Sequence, residues 1–180
     1  AAVNLAGLLM HKGELDEAER RLVDATRVQT PERPIALTAL GDLRMKQIKV
    51  AEAEQSFREA AGLAPREPRP RIGLVACLLE QEKHADALAE AERLGREFPD
   101  LPASSECLVE ALIANGHAEQ AMGVIDPCIA RHGASPLRHG LKARICEAMG
   151  DRDGALAAFE AALALDPNFE PAQQGKARLS

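Results

Sequence analysis

Residues 40–65 read LGDLRMKQIKVAEAEQSFREAAGLAP, and the order of small, bulky and helix-breaking residues in this stretch recurs along the chain. Leu40 and Gly41 are followed by Ala53, Phe57, Ala60 and Pro65, and Gly150 by Ala155, Phe159, Ala162 and Pro167. Aligned on the central alanine, five copies stand at Ala18, Ala53, Ala87, Ala121 and Ala155, spaced by 35, 34, 34 and 34 residues. Self-similarity at one fixed period is the signature of a repeat architecture and outranks any local reading. Four residues after the alanines come Leu22, Phe57, Ala91, Ile125 and Phe159; seven after come Ala25, Ala60, Leu94, Cys128 and Ala162. Those offsets place all three residues on one helix face.

Each copy therefore predicts two antiparallel helices. The turn precedes the alanine by five residues, where Gly13, Gly116 and Gly150 stand in three copies. The second helix is stopped twelve residues after it by Pro65, Pro99 or Pro167, with Thr30 beside Pro31 and Gly133 serving the other two. First helices show apolar pairs at helical spacing: Leu5 and Leu9, Leu40 and Leu43, Leu74 and Leu78, Leu108 and Leu112. The small alanine lets the first helix approach closely, and the bulky residue one turn later fills the space between units. One such pair cannot bury its apolar face alone, whereas stacked neighbours can.

Composition agrees. The 180 residues hold no Trp, no Tyr and four Phe, yet 46% are hydrophobic, mostly Ala and Leu, which favours helix over strand. Lys+Arg at 22 against Asp+Glu at 28 gives a net charge of −6, a poor balance for nucleic acid, which needs basic surface and stacking aromatics. No apolar run reaches a membrane span, so a soluble chain is expected. Cys77, Cys107, Cys128 and Cys146 form no Cys-x-x-Cys pair and sit among aliphatic residues, so they read as reduced core thiols and point to the cytoplasm. The chain opens without Met and within a helical pattern, which reads as a fragment.

With the period and the Leu-Gly…Ala…Phe…Pro pattern in place, the sequence resembles the tetratricopeptide-repeat (TPR) family over essentially its whole length. That resemblance implies an all-α fold, a right-handed α-solenoid of antiparallel helix pairs, as one array over residues 1–180. Its repeats fall at about 1–33, 34–67, 68–101, 102–135 and 136–169, with a capping helix at 170–180. The large aromatic pair common in the family's first helices is missing; Leu78, Leu112 and Cys146 hold the tyrosine-like place. In the fourth repeat Pro127 removes an amide donor and would clash with the carbonyl of Gly123, which predicts a kink or early break before the loop His132–Pro136. The connector from Pro65 to Arg71 alternates Pro with Arg and reads as a solvated loop, the alternative being a small site for an acidic ligand.

Reactive chemistry finds no foothold. No phosphate-binding, dinucleotide, zinc-protease or nucleophile-elbow motif is present, so no catalytic residue and no cofactor are expected. Asp151, Asp153, Gly154 and Glu160 mimic part of a calcium loop, but Met149 holds its first ligand place and most of the stretch is strong helix. Cys128, His132, His139 and Cys146 mimic a metal set, although both cysteines fall on core places of the repeat. Neither is taken as a metal site.

First helices line the concave side of such a stack, and in this family that groove commonly holds a partner's peptide or helix. Two residues after the core leucines Leu5, Leu40, Leu74 and Leu108 (Lys142 in the last repeat), the groove should receive Gly7, Asp42, Ala76, Glu110 and Arg144. One turn on lie Met10, Met45, Leu79, Ile113 and Glu147. The expected partner-binding set is therefore Met10, Asp42, Met45, Ala76, Leu79, Glu110, Ile113, Arg144 and Glu147. It forms an apolar stripe flanked by acids, with Arg144 and Arg178 towards the far end, unless neighbouring units use the stripe for packing. The clamp with which some TPR modules grip a terminal carboxylate is rejected. Its matching places hold Val3, Gly7, Ala39, Arg69 and Gly73, of which only Arg69 could serve. The reading is a non-catalytic protein–protein interaction module with a protein or peptide partner, no nucleic acid and no membrane span. The alternatives are the repeat region of a larger enzyme, such as a transferase, that positions a protein substrate, or a scaffold that self-associates through its terminal helices.

Overall fold

The computed structural model describes residues 2–179, and among them are eleven α-helices and no strand. They are α1 (Ala2–His11), α2 (Leu15–Arg27), α3 (Arg33–Lys46), α4 (Val50–Leu63), α5 (Pro68–Glu80) and α6 (His84–Glu97). The remainder are α7 (Pro102–Ala114), α8 (Ala118–His132), α9 (Pro136–Met149), α10 (Arg152–Leu165) and α11 (Glu170–Leu179). The chain divides into two compact units, Ala1–Glu90 and Ala91–Ser180. Within each, antiparallel pairs stack side by side as in an α-solenoid: α3 packs on α1, α2, α4 and α5, and α9 on α7, α8 and α10.

One backbone device closes the first helix of every repeat. Gly13, Ile48, Glu82, Gly116 and Gly150 all have φ between 56 and 80°, the left-handed conformation. The amide of the next residue reaches back to a carbonyl near the helix end, from Glu14 to Leu9 at 2.9 Å and likewise at Lys49, Lys83, His117 and Asp151. These bonds satisfy carbonyls that the helix end would otherwise orphan. Glycine adopts this geometry freely; Ile48 and Glu82 bear its cost.

Packing follows the repeat phase. All five central alanines are fully buried, and so are Leu22, Phe57, Ala91, Ile125 and Phe159 behind them. Phe57 shows why glycine stands where it does. A Cβ at Gly41 would lie 2.6 Å from its ring and one at Gly73 2.5 Å, so the ring of α4 occupies the room that α3 and α5 leave by lacking side chains. The ring of Phe159 meets Gly175 in the same way and seats α11 on α10.

Three local expectations are corrected. Leu5 is not core: it is 45% exposed, and Ala6 beside it takes the buried place. Leu40 and Leu74 at the same repeat place are buried, whereas Leu108 is only half-buried and Val109 beside it takes the core place. Helix α8 does not break early at Pro127 but runs on to His132, where Gly133 with φ 82° ends it. Both Gly123 and Pro127 are exposed, so water can satisfy the carbonyl that loses its donor. The Pro/Arg connector is an exposed turn only at Pro65, Arg66 and Glu67. Pro68 opens α5 where no amide is needed, Arg69 donates to Asp42 at 2.7 Å, and Arg71 is buried against Glu90 at 2.8 Å.

Candidate partner-binding faces

In the first unit the expected set lies on α1, α3 and α5. Ala76 is exposed, and Met10, Asp42, Met45 and Leu79 are half-buried. Part of the apolar stripe is packing. Met10 lies against the cluster of Ala6, Ala18, Leu22, Leu40 and Leu43, and the thiol of Cys77 reaches the Met45 sulfur at 3.3 Å. Beside Asp42 opens a cavity of about 490 Å³ walled by Val3, Pro31, Pro34, Ile35, Ala39 and Pro70. Sequence reasoning missed Ile35, 58% exposed at its rim; with Leu137, also exposed, it occupies the place in the first turn of the first helices, five residues before Leu40 and Lys142 and outside the two places read for the groove.

In the second unit Glu110, Ile113, Arg144 and Glu147 come together around a cavity of about 410 Å³, floored by Leu137, Leu141, Phe159 and Phe169. Arg144 pairs with Glu110 at 3.3 Å, and Arg178 with Glu147 at 3.1 Å. The acids are thus not a free flank. In the first unit Asp42 holds Arg69 of α5, and in the second Glu110 holds Arg144 of α9 and Glu147 holds Arg178 of α11. Such exposed pairs add little stability.

Other conspicuous groups have structural duties. Glu54 is buried and accepts from Gln81 at 2.7 Å and Lys83 at 3.0 Å, with Arg58 at 2.5 Å. Burial pushes its carboxyl up, but the hydrogen bonds from Gln81, Lys83 and Arg58 prevail and hold it at about 2. In the second unit Arg138 ties α9 to Glu106 of α7 at 2.9 Å and to the carbonyl of Gly133 at 2.8 Å. Asp151 of the calcium-like stretch caps α10 by accepting from the Gly154 amide at 2.9 Å. All four cysteines are free and buried. Burial raises Cys77 to about 11 and Cys107 to about 12, values at which the nucleophilic thiolate is scarce. No group of three or more His, Cys, Asp or Glu suited to a metal stands among the described residues, and no described helix is long and apolar enough to cross a membrane.

Three family models described as tetratricopeptide repeat match residues 3–68, 44–106 and 136–169. No curated protein matches the chain. Among solved structures, a thermophilic TPR protein of Thermus thermophilus is similar at TM-score 0.82 and 19% identity, covering 99% of this chain and 96% of the other. A tetratricopeptide repeat protein of Parabacteroides merdae gives 0.79 and 21%, covering 99% and 70%. YrrB, a TPR protein described as having an unusual peptide-binding site, gives 0.68 and 17%, covering 98% and 90%. At these identities the likeness is one of fold.

Proposed function

Because the chain belongs to the tetratricopeptide-repeat family, whose fold is in general a protein–protein interaction scaffold, we propose that it is a non-catalytic module that receives a partner's peptide or helix on its first-helix faces. One observation carries this reading. At two places in each of the last four repeats, and at Met10 in the first, the first-helix side chains stay partly exposed, although the adjacent Ala6, Gly41, Val75, Val109 and Ala143 are buried throughout. The exposed places are Met10, Asp42, Met45, Ala76 and Leu79 in one unit and Glu110, Ile113, Arg144 and Glu147 in the other. Apolar area there supplies affinity, and the Asp42–Arg69, Glu110–Arg144 and Glu147–Arg178 pairs supply register. The fold alone does not prove a function; the side chains on these faces carry it.

The test is capture of partners by the intact chain against two face variants, Ala76→Glu with Leu79→Glu, and Ile113→Glu with Arg144→Glu. At least one pair should lower capture tenfold or more while the helical signal and melting temperature stay near wild type. Leu40→Ala serves as the control that loses stability. Capture unchanged in both face variants, with folding intact, removes the reading.

Self-association is favoured by one specific observation, the exposure of Leu5 and Leu8 on α1 at 45% and 60%. Light scattering over a dilution series decides it: a constant monomer mass excludes it.

A further inference from the structure

We infer that the cavity beside Asp42 in the first unit is an anchor pocket for one large apolar side chain, phenylalanyl or leucyl, of a partner segment that carries a lysine or arginine next to the anchor. The inference rests on the reading above and gives one subsite of that face its chemistry. The wall is apolar in fact as well as in composition. Pro31, Pro34 and Pro70 have no amide hydrogen to offer, and Val3, Ile35 and Ala39 fill the rest. Of the polar side chains that remain, Thr38, Asp42 and Arg69 are already engaged, and Glu67 stands at the mouth. The hydroxyl of Thr38 donates to the Pro34 carbonyl at 2.7 Å, and the Arg69 guanidinium donates to Asp42 at 2.7 Å. A polar ligand would lose its own hydration there without replacement, whereas an apolar one would not.

Size and rigidity agree. About 490 Å³ admits a large side chain with part of its backbone, and proline walls need little ordering on binding. Charge then selects the neighbour. Of the charged groups lining the cavity, Asp42 and Arg69 neutralise each other. Glu67, exposed at the start of α5, has no ion pair or side-chain hydrogen bond among the described residues. The unbalanced charge at the mouth is therefore negative, and a cation one residue from the anchor complements it.

The probes are N-acetyl-phenylalanyl-lysinamide, the phenylalanyl-glutamyl analogue and the seryl-lysyl analogue, each titrated into the full chain and followed by backbone amide shifts. The first should saturate with a millimolar Kd, moving the amides of Ile35, Thr38 and Ala39. The glutamyl analogue should bind about 2–5-fold more weakly, the worth of one exposed charge pair. The seryl analogue should not saturate. Glu67→Lys should invert the lysyl and glutamyl order, and Ile35→Gln, at the exposed rim, should weaken both phenylalanyl probes. Failure of the first probe to saturate, shifts confined to another face, or indifference to both substitutions overturns the pocket. So does loss of these shifts on self-association at high protein concentration, which would seat a second copy there. The broader reading fails separately: it falls if the face variants leave capture unchanged, whatever the dipeptides do.

Discussion

Ile48 is the residue at which this fold departs furthest from its own rule. Three of five first helices end on glycine in the left-handed conformation, but Ile48 is β-branched, has φ 61° and is 85% exposed. Its side chain gains almost nothing by burial there, while its Cβ and Cγ atoms crowd the carbonyl. Ile48→Gly removes that strain at the cost of a more flexible unfolded chain. The net expected effect is a stabilisation of about 1 kcal/mol, read as a rise in urea midpoint with unchanged slope. Glu82, with φ 56°, is the same case without the branch. The repeat period locates both turns, although neither residue announces one.

Between elements, the Glu54 network is the tether that ordinary pattern reading overlooks. It ties α4 to the turn between α5 and α6 through Gln81 and Lys83, with Arg58 from its own helix. The folded carboxyl titrates at about 2 against an ordinary value of 4.5. A carboxyl with a depressed folded pKa contributes stability above its unfolded pKa and loses that contribution as pH falls through the folded one. The network is therefore complete at pH 7 and fades between about pH 4.5 and 2. Glu54→Gln is expected to cost of order 2 kcal/mol at pH 7, discounted for its solvent-exposed partners, and the gap to wild type should shrink across that acid window. Urea melts of both proteins at pH 7 and pH 3 check it; a gap that does not shrink contradicts the assignment.

For the whole molecule, repeat construction makes stability nearly a sum of local and nearest-neighbour contributions. Phe57 supplies such a contribution to α3, α4 and α5, because its ring fills the space left by Gly41 and Gly73. Phe57→Ala should open a cavity costing about 3–5 kcal/mol locally. Amide exchange should accelerate in those three helices, while α9 and α10, built around Phe159, keep near-native protection. Uniform acceleration along the chain would show a single cooperative core instead. The same independence lets either first-helix face be altered without unfolding the protein, which is the premise of the face variants.

The linear chain alone determined the helix pairs, their period, their stops and the buried alanine–bulky–small face. Those depend on spacing within one helix, and a periodic sequence repeats that spacing five times. It also placed Asp42, Glu110 and Arg144 at one repeat position, since residues a whole number of periods apart occupy equivalent places in their helices. Only the tertiary structure decided that Asp42, Glu110 and Glu147 are matched by arginines, because 27, 34 and 31 residues of chain separate the partners. It alone exposed Leu5, kept α8 whole past Pro127 and buried Arg71. Burial depends on which neighbour covers a surface, and a broken helical hydrogen bond is tolerated where water reaches it.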